Sequence, residues 1–231
     1  MKKNLIDAEA AKLAGLQIDL LQKIRNGKIT IDDFEKFLNQ KNELPSSVMG
    51  ITADWQKFYQ EVFNLKVDFS QTIIPNNTNT KLNFLQFMPQ GLTYSQVHDK
   101  EKSMYPKYWD WNDNWPNEMS LDFEERKTDQ NYAIWHSGLA EVEDDYADKT
   151  SNWILSHKIK TMTRLERGVF GLYMLWKHNI IIDRRFITYC TGSRDSGGRV
   201  PGAGWSGDGF ASGWIRPDGH YDHWRPRPVV S

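Results

Sequence analysis

The chain has 231 residues and a mass of 27.0 kDa, with 39% hydrophobic and 13% aromatic residues, enough to build a core and to exclude wholesale disorder. Its formal net charge of −1 argues against a protein that coats a polyanion, so no nucleic-acid partner is expected. No apolar run reaches the ~18 residues of a membrane span, and the single cysteine, Cys190, forbids an internal disulfide or a cysteine-based zinc cage.

The opening run MKKNLIDAEAAKLAG carries charge on both sides of a very short apolar patch and does not read as a secretory signal, so a cytoplasmic protein is expected. Ile6, Leu13, Leu16, Ile18, Leu20, Leu21 and Ile24 then recur at helical spacing, and Asn26-Gly27 stops that helix. Thr30 caps a second helix, with Asp32 and Asp33 in its first turn and Phe34 and Phe37 on one face. Residues 1–47 are therefore expected as a helical hairpin that packs on the remainder, with a monomer preferred over self-association. Its second helix has only Lys36 and Lys41 as basic residues, too few for a DNA-reading helix.

Glu43-Leu44-Pro45-Ser46-Ser47 reads as a linker. Beyond it come an amphipathic helix around Trp55–Phe63, strand-like VDFSQTIIP (66–75), a turn at 76–80 and a buried-strand candidate in KLNFLQFM. Thr93 opens a helix through the nineties, and the tryptophan-rich stretch 105–120 reads as an irregular loop. NYAIWHSG predicts a short strand, Thr163 to His178 the clearest helix, and IIIDRRFITYC further strand. The domain from 48 to 231 is accordingly α+β.

The last forty residues depart from this composition. Nine of the sixteen glycines lie in Gly192–Ser231, as do five of the eleven arginines. Lys, Glu, Gln and Met, 46 of the first 191 residues, are missing there, as are Asn, Leu and Thr. Trp205, Trp214 and Trp224 punctuate the segment at a spacing that suits short strands, each anchored by its indole. Gly207-Asp208-Gly209 predicts a tight hairpin turn and Pro217-Asp218-Gly219 a type I or II turn. Pro226 and Pro228, two apart, turn their missing N–H groups to one side, so that side cannot be a full ladder. Polar residues on the turns of such a meander suit a binding surface.

The run Cys190-Thr191-Gly192-Ser193-Arg194, with Val200-Pro201, Trp205, Trp214, Pro217-Asp218, Arg225, Arg227 and Val229-Val230-Ser231, resembles the variable proteins of diversity-generating retroelements. It is most similar to the type found in candidate-phylum bacteria, and the T-x-x-E at Thr163–Glu166 and the upstream NYAIW look like that family too. The resemblance implies a C-type-lectin-like fold of the formylglycine-generating-enzyme-like type, with a diversified region at about 192–231. It also bears on the composition. Mutating the adenines of an AAC codon never yields Lys, Glu, Gln, Met or Trp.

Carried over by position, the resemblance implies a fixed scaffold at Gly192, Ser193, Arg194, Val200, Pro201, Trp205, Trp214, Pro217, Asp218, Arg225 and Arg227. The ligand-binding display would comprise Asp195, Gly197, Arg199, Gly202, Gly204, Ser206, Gly207, Gly213, Ile215, Arg216, Gly219, Tyr221, Asp222 and His223, with Phe210 as an added anchor if exposed. The partner implied is a macromolecule, a protein before other classes, with no cofactor. Trp224 departs from an expected Leu, and Pro226 and Pro228 from Ala and a polar residue.

Other chemistry weighs less. Asp218, His220, Asp222 and His223 lack helical ligand spacing. Trp111-Asn112-Asp113 matches a sugar-binding triplet of animal C-type lectins without the accompanying elements. The acidic run Glu141–Asp148 reads as a solvated face or helix start, with calcium as an alternative. A formylglycine-type oxidase needs two cysteines, and a triad of Ser193, His136 and Asp195 has no support in spacing, so no enzyme is expected.

Overall fold

A computed structural model describes residues 21–27, 30, 48–110, 117, 119 and 124–231. The chain divides into two compact units, Met1–Ser46 and Ser47–Ser231. In the first, residues 21–25 are helical and end in a turn where Gly27 takes φ +64°. The expected second helix after Thr30 lies outside the described residues. So does the apolar stripe before Leu21.

The second unit is a mixed α+β arrangement. Helix α1 (Val48–Phe58) runs into a π-helical turn (Tyr59–Phe63), followed by β1 (Phe84–Met88), α2 (Tyr94–Met104) and β2 (Tyr108–Asp110). Then come β3 (Tyr132–His136), α3 (Ser151–Ser156), α4 (Arg164–His178), β4 (Ile187–Tyr189), β5 (Val200–Ser206), β6 (Gly209–Ile215) and β7 (Trp224–Arg225). β1 and β3 pair antiparallel, while the other strands form a five-stranded sheet ordered β2-β6-β5-β4-β7. β2 runs parallel to β6 and β7 parallel to β4; the remaining pairings are antiparallel. Among the described residues no helix is long and apolar enough to cross a membrane.

Two helix starts follow directly from sequence. Thr93 and Thr163 each accept from the backbone three residues on, while Gln96 and Glu166 reach back, completing capping boxes for α2 and α4. α4 buries Leu165, Val169, Phe170, Leu172 and Tyr173 against an aromatic cluster in which Trp55 stacks on Tyr173 at 4.1 Å. α2 and α4 approach closely because residue 168 is glycine: a Cβ there would stand 2.5 Å from Val97 Cγ1.

Four expectations need correction. Residues 66–75 form no strand: Asp68 Oδ1 accepts from the Ser70 amide at 2.9 Å, which turns the chain, and Ile73 is 86% exposed. Within 105–120, Tyr108–Asp110 is a strand, paired with Phe210–Ser212 of β6. The strand expected over IIIDRRFITYC shrinks to Ile187–Tyr189, because Asp183 adopts φ +58° and turns its carboxylate inward. The acidic run forms turns rather than a helix start.

The inward carboxylate organises a buried ionic hub. Asp183 Oδ2 accepts from Arg167 Nε at 3.0 Å, Arg167 Nη2 at 2.8 Å and the Thr188 hydroxyl at 2.7 Å, while Oδ1 accepts from Arg227. Arg227 also donates to Thr188 and to the carbonyls of Leu139 and Ala140. A second pair, Arg164 with Glu101, is fully buried, at 2.6 Å. One turn of α4 thus ties the core to the C-terminal segment.

Candidate ligand-binding surface

The C-terminal segment from Cys190 is built outward from the ionic hub. Its first turn is held by Ser193: the amide donates to the Cys190 carbonyl at 3.0 Å, and the hydroxyl accepts from the Arg164 amide at 2.7 Å. Arg194 Nη1 donates to the Thr191 and Ser193 carbonyls, and Nη2 to Ser151 Oγ at 2.8 Å. Burial pushes the Cys190 thiol up to about 12, so it stays a neutral core group.

The loop 195–199 folds around the buried Asp195. Its Oδ1 accepts from the amides of Gly197 and Arg199 at 3.0 and 2.7 Å, and its Oδ2 from Arg199 Nε at 2.5 Å. The Arg199 guanidinium in turn lies 4.0 Å from the Trp214 ring centroid. β5 and β6 follow as a hairpin with a two-residue turn, Gly207-Asp208, in which Gly207 takes φ +62° as a type II′ turn requires. After β6, the Gly219 amide donates to the Arg216 carbonyl at 3.2 Å, closing a turn with Pro217 at its second position.

Both faces of the hairpin are covered. On the inner face Phe210 stacks on Tyr105 at 4.1 Å, and Ser212 Oγ accepts from Arg164. On the outer face Val200 and Ile215 join Ile187, Tyr189 and Trp224 in a small separate core. The tail after Trp224 is half-paired. The Val229 amide donates to Lys160 O and the Met162 amide to Arg227 O, which leaves the two prolines facing the other way.

This packing divides the fifteen expected display positions. Gly197, Gly207, Arg216, Tyr221, Asp222 and His223 are exposed, and Arg199, Ser206 and Gly219 are half-buried. Asp195, Gly202, Gly204, Phe210, Gly213 and Ile215 are buried and cannot face a ligand in this conformation, which corrects the reading of them as displayed. The physical causes differ. Asp195 folds its own loop, Phe210 is 0% exposed under Arg167, Gly202 makes room for the Trp224 ring and Gly204 for the backbone at Phe186–Ile187. A further correction concerns the anchors: Trp205 and Trp214 are half-buried, capped by Arg184 and Arg199, while Trp224 is buried.

The exposed members concentrate in the loop 216–223. Its backbone is tied down at both ends, and the His220 ring adds a side-chain tie between them. Pro217 O accepts from the Asn152 amide at 3.0 Å, His220 Nδ1 lies 3.2 Å from Asp148 O, and Asp222 O accepts from Arg225 Nη1 at 2.7 Å. Arg216, Asp218, His220, Tyr221, Asp222 and His223 all face solvent there. No spacing signal marked Asn152 or Asp148 as the loop's supports, whereas Arg225 stood in the expected scaffold.

The other groupings considered from sequence fall apart or lie outside the described residues. Ser193 serves Arg164, Asp195 serves Arg199, and His136 sits between Phe84 and Phe170, its basicity depressed by burial and by Arg227. They form no triad. Trp111-Asn112-Asp113 is outside the described residues. Among the described residues no group of three or more His, Cys, Asp or Glu side chains is placed to hold a metal ion. Comparison with protein families, curated proteins and solved structures gives no match to the chain.

Proposed function

We propose that the protein is a binding protein of the retroelement-diversified type, with a C-type-lectin-like domain over residues 48–231 that presents a changeable surface to a macromolecular ligand, a protein. The observation that carries this reading is the loop 216–223: six exposed polar or aromatic side chains on a backbone held through the Pro217 and Asp222 carbonyls by Asn152 and Arg225. Apart from His220, whose ring reaches Asp148 O, such a loop changes its side chains without disturbing its backbone ties, and Arg and Tyr are the residue types that concentrate interface energy. The missing Lys, Glu, Gln and Met throughout 192–231 fit codons diversified at adenines.

The display in this reading is narrower than sequence implies. It comprises Gly197, Arg199, Ser206, Gly207, Arg216, Gly219, Tyr221, Asp222 and His223, with the buried glycines of the hairpin as scaffold. Two tests bear on it. The gene's neighbourhood should hold a reverse transcriptase and a near-copy of the tail's coding sequence differing at adenines. A substitution library over 192–231, sorted for folding, should tolerate changes in the exposed loop and reject them at 202, 204 and 210. Equal intolerance across both sets sinks the display reading.

A further inference from the structure

The loop Arg184-Arg185-Phe186 joins two stretches of the display. On one side the Asp183 carbonyl accepts from the Trp205 amide at 2.7 Å, next to Ser206. On the other the Ile187 amide donates to His223 O at 2.8 Å. Both arginines are exposed, and both stand outside the diversified region 192–231. One carboxylate holds the loop's backbone: Glu141 Oε1 accepts from the Arg184 amide at 2.9 Å and from the Arg185 amide at 3.2 Å.

The two guanidinium groups lie against rings. Arg184 stands 4.5 Å from the centroid of Trp205, and Arg185 5.5 Å from that of Phe186, which Arg225 approaches at 4.7 Å. Among the described residues neither Arg184 nor Arg185 has a carboxylate within ion-pair distance of its guanidinium. The exposed Lys81, Lys107 and Lys177, by contrast, pair with Asp145, Asp208 and Asp54. An arginine laid on a ring keeps its in-plane N–H donors available and loses less freedom when it takes a carboxylate.

We propose that Arg184 and Arg185 form a fixed anchor for a short acidic segment of the protein ligand, each guanidinium taking one carboxylate through paired N–H donors. The proposal rests on the display reading and gives that surface a constant half. Ser206-Gly207 and the loop 216–223 change between variants, while the anchor keeps selecting partners with acidic side chains. A carboxylate pair suits it better than a nucleic-acid backbone. Asp144, Asp208 and Asp222 are exposed on the neighbouring segments and oppose an extended polyanion, whereas a segment with two carboxylates engages the arginines alone.

The test titrates the full chain with a capped tetraglutamate peptide at low ionic strength, beside a capped tetraglutamine peptide and a thymidine tetranucleotide. NMR shifts of the backbone amides and arginine Nε–H groups are followed. The glutamate peptide should saturably shift 184–186 and the glutamine peptide should not. Arg184→Gln and Arg185→Gln, both at exposed positions, should each weaken binding by up to about fivefold, the worth of a surface ion pair. This titration reads the anchor alone and the substitution library reads the display alone, so one can fail without the other. The proposal is overturned by the absence of a saturable shift at 184–186, by equal shifts from the glutamine peptide, by tighter binding of the tetranucleotide, or by unchanged affinity in both arginine variants.

Discussion

The indole of Trp224 lies against the backbone of Gly202 and occupies the space that a side chain at 202 would fill. Gly202 faces Gly213 across the hairpin, so two strands without side chains at this level receive one large ring. Trp224 also ends the exposed loop: its amide donates to Tyr221 O at 3.0 Å, and its ring is 5.9 Å from that of Tyr221. The floor of the hairpin and the return of the loop are therefore one packing problem.

Gly202→Val should cost about 1–3 kcal/mol, the usual penalty of overpacking a filled site, because the ring must move or the strand must shift. Gly197→Ala, in a solvent-facing stretch where the added carbon meets nothing closer than 3.5 Å, should stay within about 0.5 kcal/mol of the parent. Urea unfolding of both variants checks the contrast.

Asp183 is the single carboxylate that both Arg167 and Arg227 address, and all three are almost fully buried. Asp183→Asn keeps a residue type that accepts φ +58° and removes only the charge. Two buried guanidinium groups then lose their counter-charge, so a loss of about 3–5 kcal/mol is expected from denaturant titration.

Sequence made the helices legible, because capping signals at Thr93 and Thr163 and the apolar spacing after Leu165 are local chemistry. It also located the turns at 207–208 and 217–218, where Gly and Pro restrict the backbone. The ionic hub was not legible: Arg164, Glu166 and Arg167 occupy the first turn of an amphipathic helix, where charged residues ordinarily face water, and their partners lie at Glu101, Arg126 and Asp183. The display set was overdrawn for a related reason. A glycine reads the same in sequence whether it faces solvent, like Gly197, or a ring, like Gly202.

Glu124 should make stability fall with rising pH. Its folded carboxyl is pushed from 4.5 up to about 8, chiefly by burial, so the folded protein holds a proton that the unfolded chain has released. The stabilisation is complete below 4.5 and is lost as pH climbs to about 8, by up to ~1.4 kcal/mol per pH unit. His136 acts oppositely, since its folded value is depressed and its cost appears as pH drops below about 6.5. Between about 6.5 and 8 Glu124 is left as the dominant group of the two. Chemical denaturation across that window should show a decline that Glu124→Gln flattens.

The exposed loop should be thermodynamically quiet. Arg216 and His223 take part in the fold through their carbonyls, which accept from the Gly219 and Ile187 amides, while their side chains face solvent. Replacing either with Ala leaves the backbone acceptor in place, so stability should change by no more than about 0.5 kcal/mol. Phe210→Ala, in the strand that leads into the loop but stacked on Tyr105 and 4.9 Å from the Arg167 guanidinium, should cost about 3–5 kcal/mol. Protease resistance across a complete substitution set of 192–231 measures both at once. If Arg216 and His223 prove as intolerant as Phe210, their side chains carry structure, and the surface they form is not free to vary.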